Sequence, residues 1–505
     1  MKIFDTQLMR AWDAATIAAE PVTSVALMNR AALAFTGRFR ELFPDTTQPI
    51  LVICGSGNNG GDGLAVARFL HQAAYEVTVW LPPAGLRRSS DFEAQYKALP
   101  KHGGVSCFEY PATPETSVLE VPRAAVVIDA LFGTGLSRPL DDFWADLVER
   151  LNGLANTIVS IDLPSGLSAD GVVSGPCIRA AFTITFERPK PAFFFAENES
   201  FVGDWSVVPI GLLPDFEQET PTPYHLTVAE DIQGLYRPRR RFAHKGDFGH
   251  ALLVAGAYGK MGAAVLAARG ALRAGAGLLT VHAPRCGYLV LQTAVPEAMY
   301  SADERARCLT SVPDPGAFDA VGIGPGIGQS PETAAALAAL LEKTAKPVVI
   351  DADALNLLSQ HPDWWAQIPA GSILTPHPKE FERLFGACSD SPARIRTLLE
   401  KAQTHRVIIV LKGACTAVGL PNGQVWFNTT GNPGMATGGS GDVLTGVLTA
   451  LLAQGYPPED AARMGVYLHG LAGDLAVEHL GMEALVAGDL PKGLGRAFAR
   501  VQKKP

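Results

Sequence analysis

Short apolar runs that alternate with helical segments constrain the fold of this chain most strongly. The first run, Ile50–Cys54, precedes the loop GSGNNGGDG (55–63), a helical segment from 64 to about 74, and a second apolar run at 76–81. Further apolar runs lie at 124–130, 157–161 and 181–186, and two helical segments broken near Pro21 precede them all. Strands that alternate with helices form parallel sheets covered on both faces, so the sequence predicts an α/β fold.

The same alternation begins again after a stretch punctuated by prolines, 213–246. Apolar runs separated by helical segments follow at 249–255, 278–282, 320–323, 348–350, 373–375 and 407–411. A chain of 505 residues allows about two to four domains. We therefore expect two α/β domains, 1–218 and 225–505, with the boundary between them.

Composition excludes several classes of protein. A net charge of −8 gives no general affinity for nucleic acid or an anionic membrane. The seven cysteines are scattered and never spaced as CxxC, so we expect neither a disulfide framework nor a zinc site. Charged residues interrupt the N-terminus, and no apolar run approaches the ~18 residues of a membrane span. These features predict a cytoplasmic protein.

The segment GNPGMATGGSGD (431–442) has the composition of an anion site. Its glycines let backbone N–H groups approach a phosphate, and the apolar helix predicted at 443–453 adds its positive end. Asp442 is the exception, because a carboxylate beside bound phosphate is repulsive. It either caps the helix, binds a metal ion, or takes a proton from a hydroxyl that is being phosphorylated.

The loop after the first strand matches the dinucleotide-binding pattern GxGxxG through Gly55, Gly57 and Gly60. That pattern requires an acidic residue at the end of the second strand, and 79–84 (VWLPPA) contains none. We therefore do not expect an ordinary hydride-transferring oxidoreductase. Asn58, Asn59 and Asp62 are better suited to hold a polar ligand or a cation.

Two later strands also end in polar residues. Asp129 closes one strand before the flexible loop 133–136, and Asp162 closes the next, followed by Ser165. Each could be a local turn residue. Because the carboxyl ends of parallel strands meet at one edge of the sheet, we expect the three loops to converge there on a ligand site.

GNNGGDG (57–63), DALFGTGL (129–136) and DLPSGL (162–167) resemble the N-terminal epimerase domain of the bifunctional NAD(P)H-hydrate repair enzymes, a Rossmann-like doubly wound sheet. The resemblance covers roughly 10–214. It implies a potassium ion held by Asn59, Asp129 and Ser165, with Asp162 as the catalytic carboxylate that moves a proton. It also implies contacts to the hydrated dinucleotide from Asn58, Asn59, Gly60, Gly61, Asp62, Gly133, Thr134, Gly135, Leu136, Ser137, Arg138, Pro139 and Asp162.

In the second half, polar loops again follow the predicted strands. These loops are GPGIG (324–328), Asp351 with Asp353, TPHPKE (375–380) and KGACT (412–416). No GxxxxGK[ST] motif occurs, so a Walker loop does not hold nucleotide phosphates. The glycine-rich segment 431–442 is therefore the remaining candidate for binding these phosphates.

HKGDFG (244–249), GPG (324–326), TPHPKE and NPGMATGGSGD (432–442) resemble the dehydratase domain of the same enzymes, a ribokinase-like fold. The resemblance implies that ADP, bound with Mg²⁺, is the phosphoryl donor, with Asp442 catalytic, while the sequence alone does not decide between ADP and ATP. Hydrated dinucleotide is expected at Ala263, Gly326, His377 and Asp442. ADP is expected at Lys412, Gly413, Ala414, Cys415, Thr416, Asn432, Pro433, Gly434, Met435, Ala436, Thr437, Gly438, Gly439, Ser440 and Gly441.

The predicted function is therefore repair of NADHX and NADPHX, the hydrated forms of the reduced cofactors, by a homo-oligomeric enzyme. A vitamin-precursor or sugar kinase is an alternative, because the GSGD loop fits that whole fold. A binding scaffold is another, although Asn59, Asp62, Asp129 and Asp162 are all retained. Glu380 is either a magnesium ligand or a surface carboxylate. The basic cluster at 237–245 is either a solvated face or a contact to phosphate or to a second subunit.

Overall fold

The computed structural model describes residues 1–83, 85–100, 104–110, 121–136 and 138–502. The chain divides into two compact units. The N-terminal unit comprises Lys2–Thr222 with Asp390–Pro392, and the C-terminal unit comprises Met1, Pro223–Ser389 and Ala393–Pro505. The division at 222 and 223 lies within the stretch that separates the two predicted domains. Within the described ranges, no helix is long and apolar enough to cross a membrane.

The N-terminal unit is built on a parallel sheet. Its strands are β1 (Ile50–Cys54), β2 (Val77–Leu81), β3 (Ser106–Glu109), β4 (Val126–Ala130), β5 (Ile158–Ile161), β6 (Phe182–Phe186) and β7 (Asp204–Val208). Its helices are α1 (Thr6–Ala19), α2 (Ser24–Leu42), α3 (Asn58–Gln72), α4 (Ser90–Ala98), α5 (Asp142–Asn152), α6 (Glu199–Val202) and α7 (Pro214–Glu219). The strand order is β3-β2-β1-β4-β5-β6-β7, with every neighbouring pair parallel.

Strand β1 shows why its sequence is a continuous apolar run. Ile50 and Val52 belong to the hydrophobic core that includes residues of α2 and α3. Leu51 and Ile53 belong to a separate core that includes residues of α5. Successive strand side chains point to opposite faces, so a strand covered on both faces needs an apolar residue at every position.

The order of this sheet reverses at β1, which pairs with β2 on one side and with β4 on the other. The loops after β1 and β4 therefore leave the sheet in opposite directions and open a crevice between them. Open α/β sheets bind their ligands in a crevice of this kind. Three predicted ligand loops, after β1, β4 and β5, lie at this edge.

Helix α3 begins earlier than the sequence predicted. It starts at Asn58, not at 64, so most of the glycine-rich segment forms its first turns. The glycine at position 60 is needed for a close approach, since a Cβ there would lie 1.8 Å from the Gly55 carbonyl oxygen. The prediction was wrong because glycines that signal a loop also allow a helix to start tightly against a strand.

The C-terminal unit is built on a larger mixed sheet. Its strands are β8 (Tyr224–Leu226), β9 (His250–Val254), β10 (Leu278–Ala283), β11 (Met299–Ala302), β12 (Ala320–Ile323), β13 (Val348–Ile350), β14 (Ile373–Leu374), β15 (Ile408–Leu411), β16 (Thr416–Gly419) and β17 (Val425–Asn428). Its helices are α8 (Ala229–Leu235), α9 (Met261–Arg273), α10 (Tyr288–Ala294), α11 (Pro331–Lys343), α12 (Ala352–Gln360), α13 (Pro378–Phe385), α14 (Ser391–His405), α15 (Ser440–Ala453), α16 (Pro458–Leu480) and α17 (Leu490–Val501).

The 10-stranded sheet has the order β11-β10-β9-β12-β13-β14-β15-β16-β17-β8. In this spatial order, all neighbouring strands from β11 through β15 are parallel, whereas β16 runs antiparallel to both β15 and β17. The sequence predicted the central parallel strands but missed β8, β11, β16 and β17, which are short and lie toward the edges. This sheet reverses at β9, between β10 and β12, so its crevice lies beside the loop after β12 and the start of α9.

Helices α9 and α15 pack closely through glycines. A Cβ at Gly446 would lie 1.9 Å from the Ala267 carbonyl oxygen, and a Cβ at Gly270 would lie 2.5 Å from the Val443 carbonyl oxygen. Only residues without a Cβ allow the two backbones to approach this far. This contact fixes the start of α15, and with it Asp442, relative to α9.

Candidate active sites

A cavity of about 630 Å³ lies at the crevice of the N-terminal unit. The predicted residues that line it are Asn58, Asn59, Asp62, Gly133, Thr134, Gly135, Leu136, Arg138 and Asp162. Gly60, Gly61 and Pro139 are not in its wall, and Ser137 lies outside the described residues. Gly61 instead allows α2 to pack against α3, since a Cβ there would lie 3.0 Å from the Met28 sulfur. The structure thus brings most of the predicted dinucleotide site together.

Asp162 is held by a buried lysine. Its Oδ1 accepts hydrogen bonds from Lys190 Nζ at 2.7 Å, Thr185 Oγ1 at 2.9 Å and the Phe186 N–H at 3.0 Å. The Lys190 side chain is 3% exposed. Asp162 also has a left-handed backbone, with φ of 63°. Such strain persists where surrounding contacts enforce it, and Oδ2 accepts no hydrogen bond from the described residues.

Two further carboxyl groups line the same cavity, Asp13 on α1 and Asp62 on α3. Within the described ranges, neither carboxyl group has a hydrogen bond or an ion pair. Burial and then the charge of Asp162 raise the pKa of Asp13 to about 6, although Lys190 opposes the shift. Burial and the charges of Asp162, Asp13 and Asp91 raise the pKa of Asp62 well above its ordinary value.

Asp129 lies beneath the cavity rather than in its wall. It is fully buried and accepts hydrogen bonds from Ser165 Oγ at 2.6 Å, the Ser165 N–H at 2.9 Å, Ser160 Oγ at 2.8 Å and the Leu131 N–H at 3.2 Å. Burial raises its pKa, and these hydrogen bonds oppose the shift. Asn59 lies in the first turn of α3, and its side-chain Nδ2 is buried without a hydrogen-bond partner.

In the C-terminal unit, the predicted anion loop leads into the first turn of α15. Gly439 precedes the helix in a left-handed conformation, with φ of 98°, and a Cβ there would lie 2.4 Å from a Leu266 methyl group. No side chain caps this helix. Four backbone N–H groups at this point form no hydrogen bond with any described residue: those of Gly438, Gly439, Gly441 and Asp442. They are therefore free to bind an anion at the positive end of the helix.

Asp442 lies inside the helix, so the capping alternative is wrong. Its carboxylate is partly buried and forms no hydrogen bond or ion pair with any described residue. Burial and the charge of Asp351 raise the pKa of Asp442 to about 6, while Lys412 opposes the shift. A carboxylate with a pKa near neutrality is a suitable general base.

Lys412 is engaged in an ion pair beside Asp442. Its Nζ lies 2.8 Å from Asp351 Oδ1 and 3.9 Å from Glu380 Oε2. Burial works against the ammonium, but the charges of Asp351 and Glu380 dominate and raise the pKa of Lys412. Thr445 Oγ1 holds the other oxygen of Asp351 at 2.7 Å. In the following loop, Thr416 Oγ1 donates to the Gly413 carbonyl at 3.0 Å.

His377 and Glu380 close the start of α13 together. His377 Nδ1 accepts the N–H groups of Lys379 at 3.1 Å and Glu380 at 3.3 Å, and the His377 N–H donates to Glu380 Oε2 at 2.8 Å. This is a capping box. Glu380 is buried, so the interpretation of a surface carboxylate is wrong. The His377 side chain is 43% exposed, and its Nε2 lies 3.4 Å from Glu380 Oε1.

Ala263 and Gly326 are neighbours at the crevice of this sheet. A Cβ at Gly326, whose φ is 64°, would lie 3.0 Å from the Ala263 Cβ. Beside them, Asp353 Oδ2 accepts Lys260 Nζ at 3.1 Å and the Gly328 N–H at 2.9 Å. These hydrogen bonds and that of Gln329 outweigh burial and lower the pKa of Asp353.

Side chains of α16 anchor the anion loop. Asp474 accepts the Gly431 N–H and Asn432 Nδ2, both at 2.9 Å. His469 Nε2 donates to the Ser440 carbonyl at 3.0 Å, and burial lowers the pKa of His469 to about 4, so the ring is neutral. The loop is thus positioned before any ligand arrives.

Two arginines of the basic cluster have structural partners. Arg237 Nη1 donates to the Gly455 carbonyl at 3.1 Å, and Arg239 Nη2 donates to the Gly275 carbonyl at 2.6 Å. These carbonyls follow the C-terminal ends of α15 and α9, where cations are stabilised by the helix dipole. Capping of two helices therefore explains part of this cluster without a phosphate ligand.

Sequence reasoning missed several residues that shape the sites: Lys190, Asp13, Asp351 as the partner of Lys412, and Asp474. Lys190 and Asp474 lie far along the chain from the loops that they position. Asp13 lies on a helix whose contribution to the cavity the sequence did not reveal. Asp351 alone had a sequence signal, since it follows the run that forms β13.

Comparisons with known proteins identify relatives of both halves of the chain. A family model described as NAD(P)H-hydrate dehydratase matches residues 251–494, and that of the YjeF-related protein N-terminus matches 24–192. The bifunctional NAD(P)H-hydrate repair enzyme Nnr of Moorella thermoacetica is 36% identical over 485 residues, covering 93% of this chain and 91% of the relative. The enzyme of the same name from Escherichia coli is 35% identical over 482 residues, covering 94% and 90%.

Among solved structures, a ribokinase-like superfamily protein from Enterococcus faecalis is 25% identical, with a TM-score of 0.50. It covers 56% of this chain and 99% of its own. Both halves of the chain and nearly its whole length are thus matched. The chain belongs to the family of bifunctional NAD(P)H-hydrate repair enzymes.

Proposed function

We propose that this protein repairs hydrated NADH and NADPH at two sites. The C-terminal unit dehydrates the S epimer at the expense of ADP, releasing AMP and phosphate, and the N-terminal unit interconverts the R and S epimers. The observation that carries this proposal is the placement of Asp442, an unpaired carboxylate in the first turn of α15. It lies beside free N–H groups suited to phosphate.

In the dehydratase site, Asp442 accepts the proton of the substrate hydroxyl as that oxygen attacks the terminal phosphoryl group of ADP. The N–H groups of Gly438, Gly439 and Gly441 stabilise the negative charge on the transferring group. Phosphate is a better leaving group than hydroxide. Its departure, assisted by the ring nitrogen, restores the dihydropyridine.

The remaining assignments in this unit are part of the proposal. The nucleotide contacts 412–416 and 432–441, and the hydrated ring lies against Ala263, Gly326 and His377. The adjacency of Ala263 and Gly326 and the exposed side chain of His377 support the second placement. Because Lys412 is paired with Asp351, we assign ADP contact there to the backbone rather than to a free ammonium.

Magnesium fits this site as an ion that arrives with the nucleotide. Among the described residues, no group of three or more His, Cys, Asp or Glu side chains could hold a metal ion. Mg²⁺ commonly binds through substrate phosphates and one or two carboxylates, keeping several waters. When bound, it would neutralise phosphate charge beside Asp442.

In the epimerase site, Asp162 is the carboxylate that moves a proton while the hydroxyl-bearing ring carbon inverts. Its unpaired Oδ2 and its position in the cavity wall support this role. The dinucleotide occupies the cavity formed by the loops after β1 and β4. We assign it the lining residues Asn58, Asn59, Asp62, Gly133 to Leu136, and Arg138.

We assign potassium to Asn59, Asp129 and Ser165. Ser165 Oγ lies 2.6 Å from Asp129 Oδ1 and 3.1 Å from the Phe132 carbonyl oxygen, and Asn59 Oδ1 lies beside Gly133, where a Cβ would be 3.0 Å from it. Oxygen atoms of this kind suit a hard cation. The ion would supply a fixed positive charge beneath the dinucleotide.

The test separates the two activities. Purified protein is mixed with the S epimer of hydrated NADH and ADP, while dihydropyridine absorbance and released phosphate are measured together. We expect one phosphate for each dihydropyridine formed. A stable phosphorylated product, without recovery of absorbance, would instead identify a kinase. In a second assay without nucleotide, the R epimer should convert to a mixture of epimers faster than in an enzyme-free blank.

A further inference from the structure

Three carboxyl groups from three different elements line the epimerase cavity: Asp13 on α1, Asp62 on α3 and Asp162 after β5. Their partners differ. Asp162 is paired with Lys190 at 2.7 Å, whereas the described residues provide Asp13 with no hydrogen bond and no ion pair. One cavity therefore holds a carboxylate paired with a lysine and a carboxyl group left without a partner. Pairs of groups in such contrasting environments divide acid and base roles.

Helix α1 presents one face to the cavity. Arg10, Asp13 and Ile17, which are spaced as neighbours on one helix face, all line it. The helix is fixed by Arg10 Nη2, which donates to the Thr134 carbonyl at 3.3 Å, and by Trp12 Nε1, which donates to the Leu213 carbonyl at 2.8 Å. Asp13 is therefore positioned by an anchored element, as a reacting group must be.

The charges around Asp13 favour its protonated form. The charges of Asp162 and Glu187 raise the pKa of Asp13, whereas Lys190, which is already paired with Asp162, lowers it. Arg10 and Asp62 also line the cavity. With burial as the largest cause, the pKa of Asp13 is raised to about 6. About half of Asp13 therefore carries a proton at pH 6, and about a tenth does so at pH 7.

We propose that Asp13 is a second catalytic carboxyl group of the epimerase, which protonates the departing hydroxyl group while Asp162 receives the proton of the water that adds to the other face. This inference rests on the proposed epimerase function. It goes beyond that function by dividing the acid and base steps between two residues on different elements of the fold.

The step balances as follows. The bond between the ring carbon and its hydroxyl oxygen breaks as the ring nitrogen forms a C=N⁺ double bond, and the proton of Asp13 leaves with that oxygen as water. A water molecule then adds to the same carbon from the opposite face, and its proton moves to Asp162. The net transfer of one proton from Asp13 to Asp162 is reversed through solvent. In the reverse direction the two residues exchange roles.

The experiment uses the full chain without nucleotide, so that the dehydratase is idle. The R epimer of hydrated NADH is incubated at pH 5 to 9, and the epimer ratio is followed by chromatography. For the wild type, we expect kcat/KM to fall as pH rises above about 6, because Asp13 loses its proton. Asp13→Asn should lower the rate by about 10²-fold or more and abolish this descending limb.

Matched variants separate a catalytic role from a structural one. Glu76→Gln removes an exposed carboxylate of the same unit outside the cavity, and it should keep both the rate and the pH profile. Asp13→Glu, which retains a proton donor, should restore a descending limb. This variant also keeps the test valid if Asp13→Asn folds poorly.

Three outcomes would overturn the inference while leaving the epimerase function intact. One is an unchanged rate in Asp13→Asn. Another is a lower rate that retains the wild-type descending limb. The third is loss of the limb in Asp62→Asn but not in Asp13→Asn, which would assign the acid to Asp62. A wild-type protein without epimerase activity at any pH would instead reject the proposed function itself.

Discussion

At the scale of single residues, both sites rely on carboxylates whose pKa the fold controls. Asp442 and Asp13 are raised to about 6 by burial and by a neighbouring aspartate. Asp162 instead has a buried lysine as its partner. Two of these carboxylates, Asp162 and Asp442, could be predicted from the sequence. Their charge states could not, because these depend on Lys190, Asp351 and other partners distant in the chain.

Replacement of Asp442 by Asn should remove the general base of the dehydratase. We expect a loss of about 10²–10⁴-fold in kcat for ADP-dependent dehydration of the S epimer. In the wild type, the rate should rise with pH up to about 6 and then level off, because the base must be ionised. A steady-state pH profile measures both effects. A wild-type rate that falls over this range would contradict the assignment.

Replacement of Lys190 by Met should leave Asp162 without its cationic partner in a buried position. We expect a loss of about 3 kcal/mol in stability of the N-terminal unit, because an uncompensated carboxylate remains. We also expect at least a tenfold drop in epimerase kcat/KM. Hydrogen exchange of β5 and β6 amides reports the stability change. Lys190→Arg, which keeps the charge, serves as the control and should lose less of both properties.

The raised pKa of Asp13 makes a prediction about stability. Between its ordinary value of 3.8 and about 6, the folded state binds a proton that the unfolded state has released, so stability falls as pH rises through this range. Asp13→Asn removes this penalty. Allowing for partial exposure, we expect the variant to be about 1–2 kcal/mol more stable at pH 7.5 and unchanged at pH 4. Hydrogen exchange of α1 amides would detect the difference, and equal gains at both pH values would contradict it.

At the scale of elements, the central parallel strands of both sheets followed from continuous apolar runs such as those of β1 and β12. Strands β8, β11, β16 and β17 were missed; β8 and β11 are the edge strands of their sheet, and all four are only three or four residues long. Helix α3 was placed too late, because its first turns consist of glycines used for close packing. Local sequence thus predicts elements buried on both faces better than it predicts tight junctions.

The contact between α9 and α15 supplies the prediction at this scale. A Cβ at Gly446 would lie 1.9 Å from the Ala267 carbonyl, so Gly446→Ala should destabilise the C-terminal unit by about 3 kcal/mol and displace Asp442. Gly262 is exposed on α9, and a Cβ there has no neighbour within 4 Å. Gly262→Ala should therefore stabilise the unit by about 0.5–1 kcal/mol. Thermal unfolding measures the stability of both variants, and equal changes in stability would contradict the packing argument.

At the scale of the whole molecule, each unit places a carboxylate near residues that follow the carboxyl ends of its parallel strands. An S-specific dehydratase alone would leave the R epimer unrepaired, and an epimerase removes that limit. The sites are predicted to be chemically independent. Asp162→Asn should abolish epimerisation and spare dehydration, and Asp442→Asn should do the reverse. An equimolar mixture of the two variants should therefore repair both epimers, as measured by absorbance.

The most direct test of the central claim is the extent of repair of a racemic mixture. Purified wild-type protein is added to equal amounts of R- and S-hydrated NADH with excess ADP, and dihydropyridine absorbance is followed to completion against an enzyme-free blank. Two active sites predict conversion of the whole mixture, with AMP and phosphate formed in equal amounts. Conversion that stops at half, with the R epimer left over, would contradict the claim that this chain carries both activities.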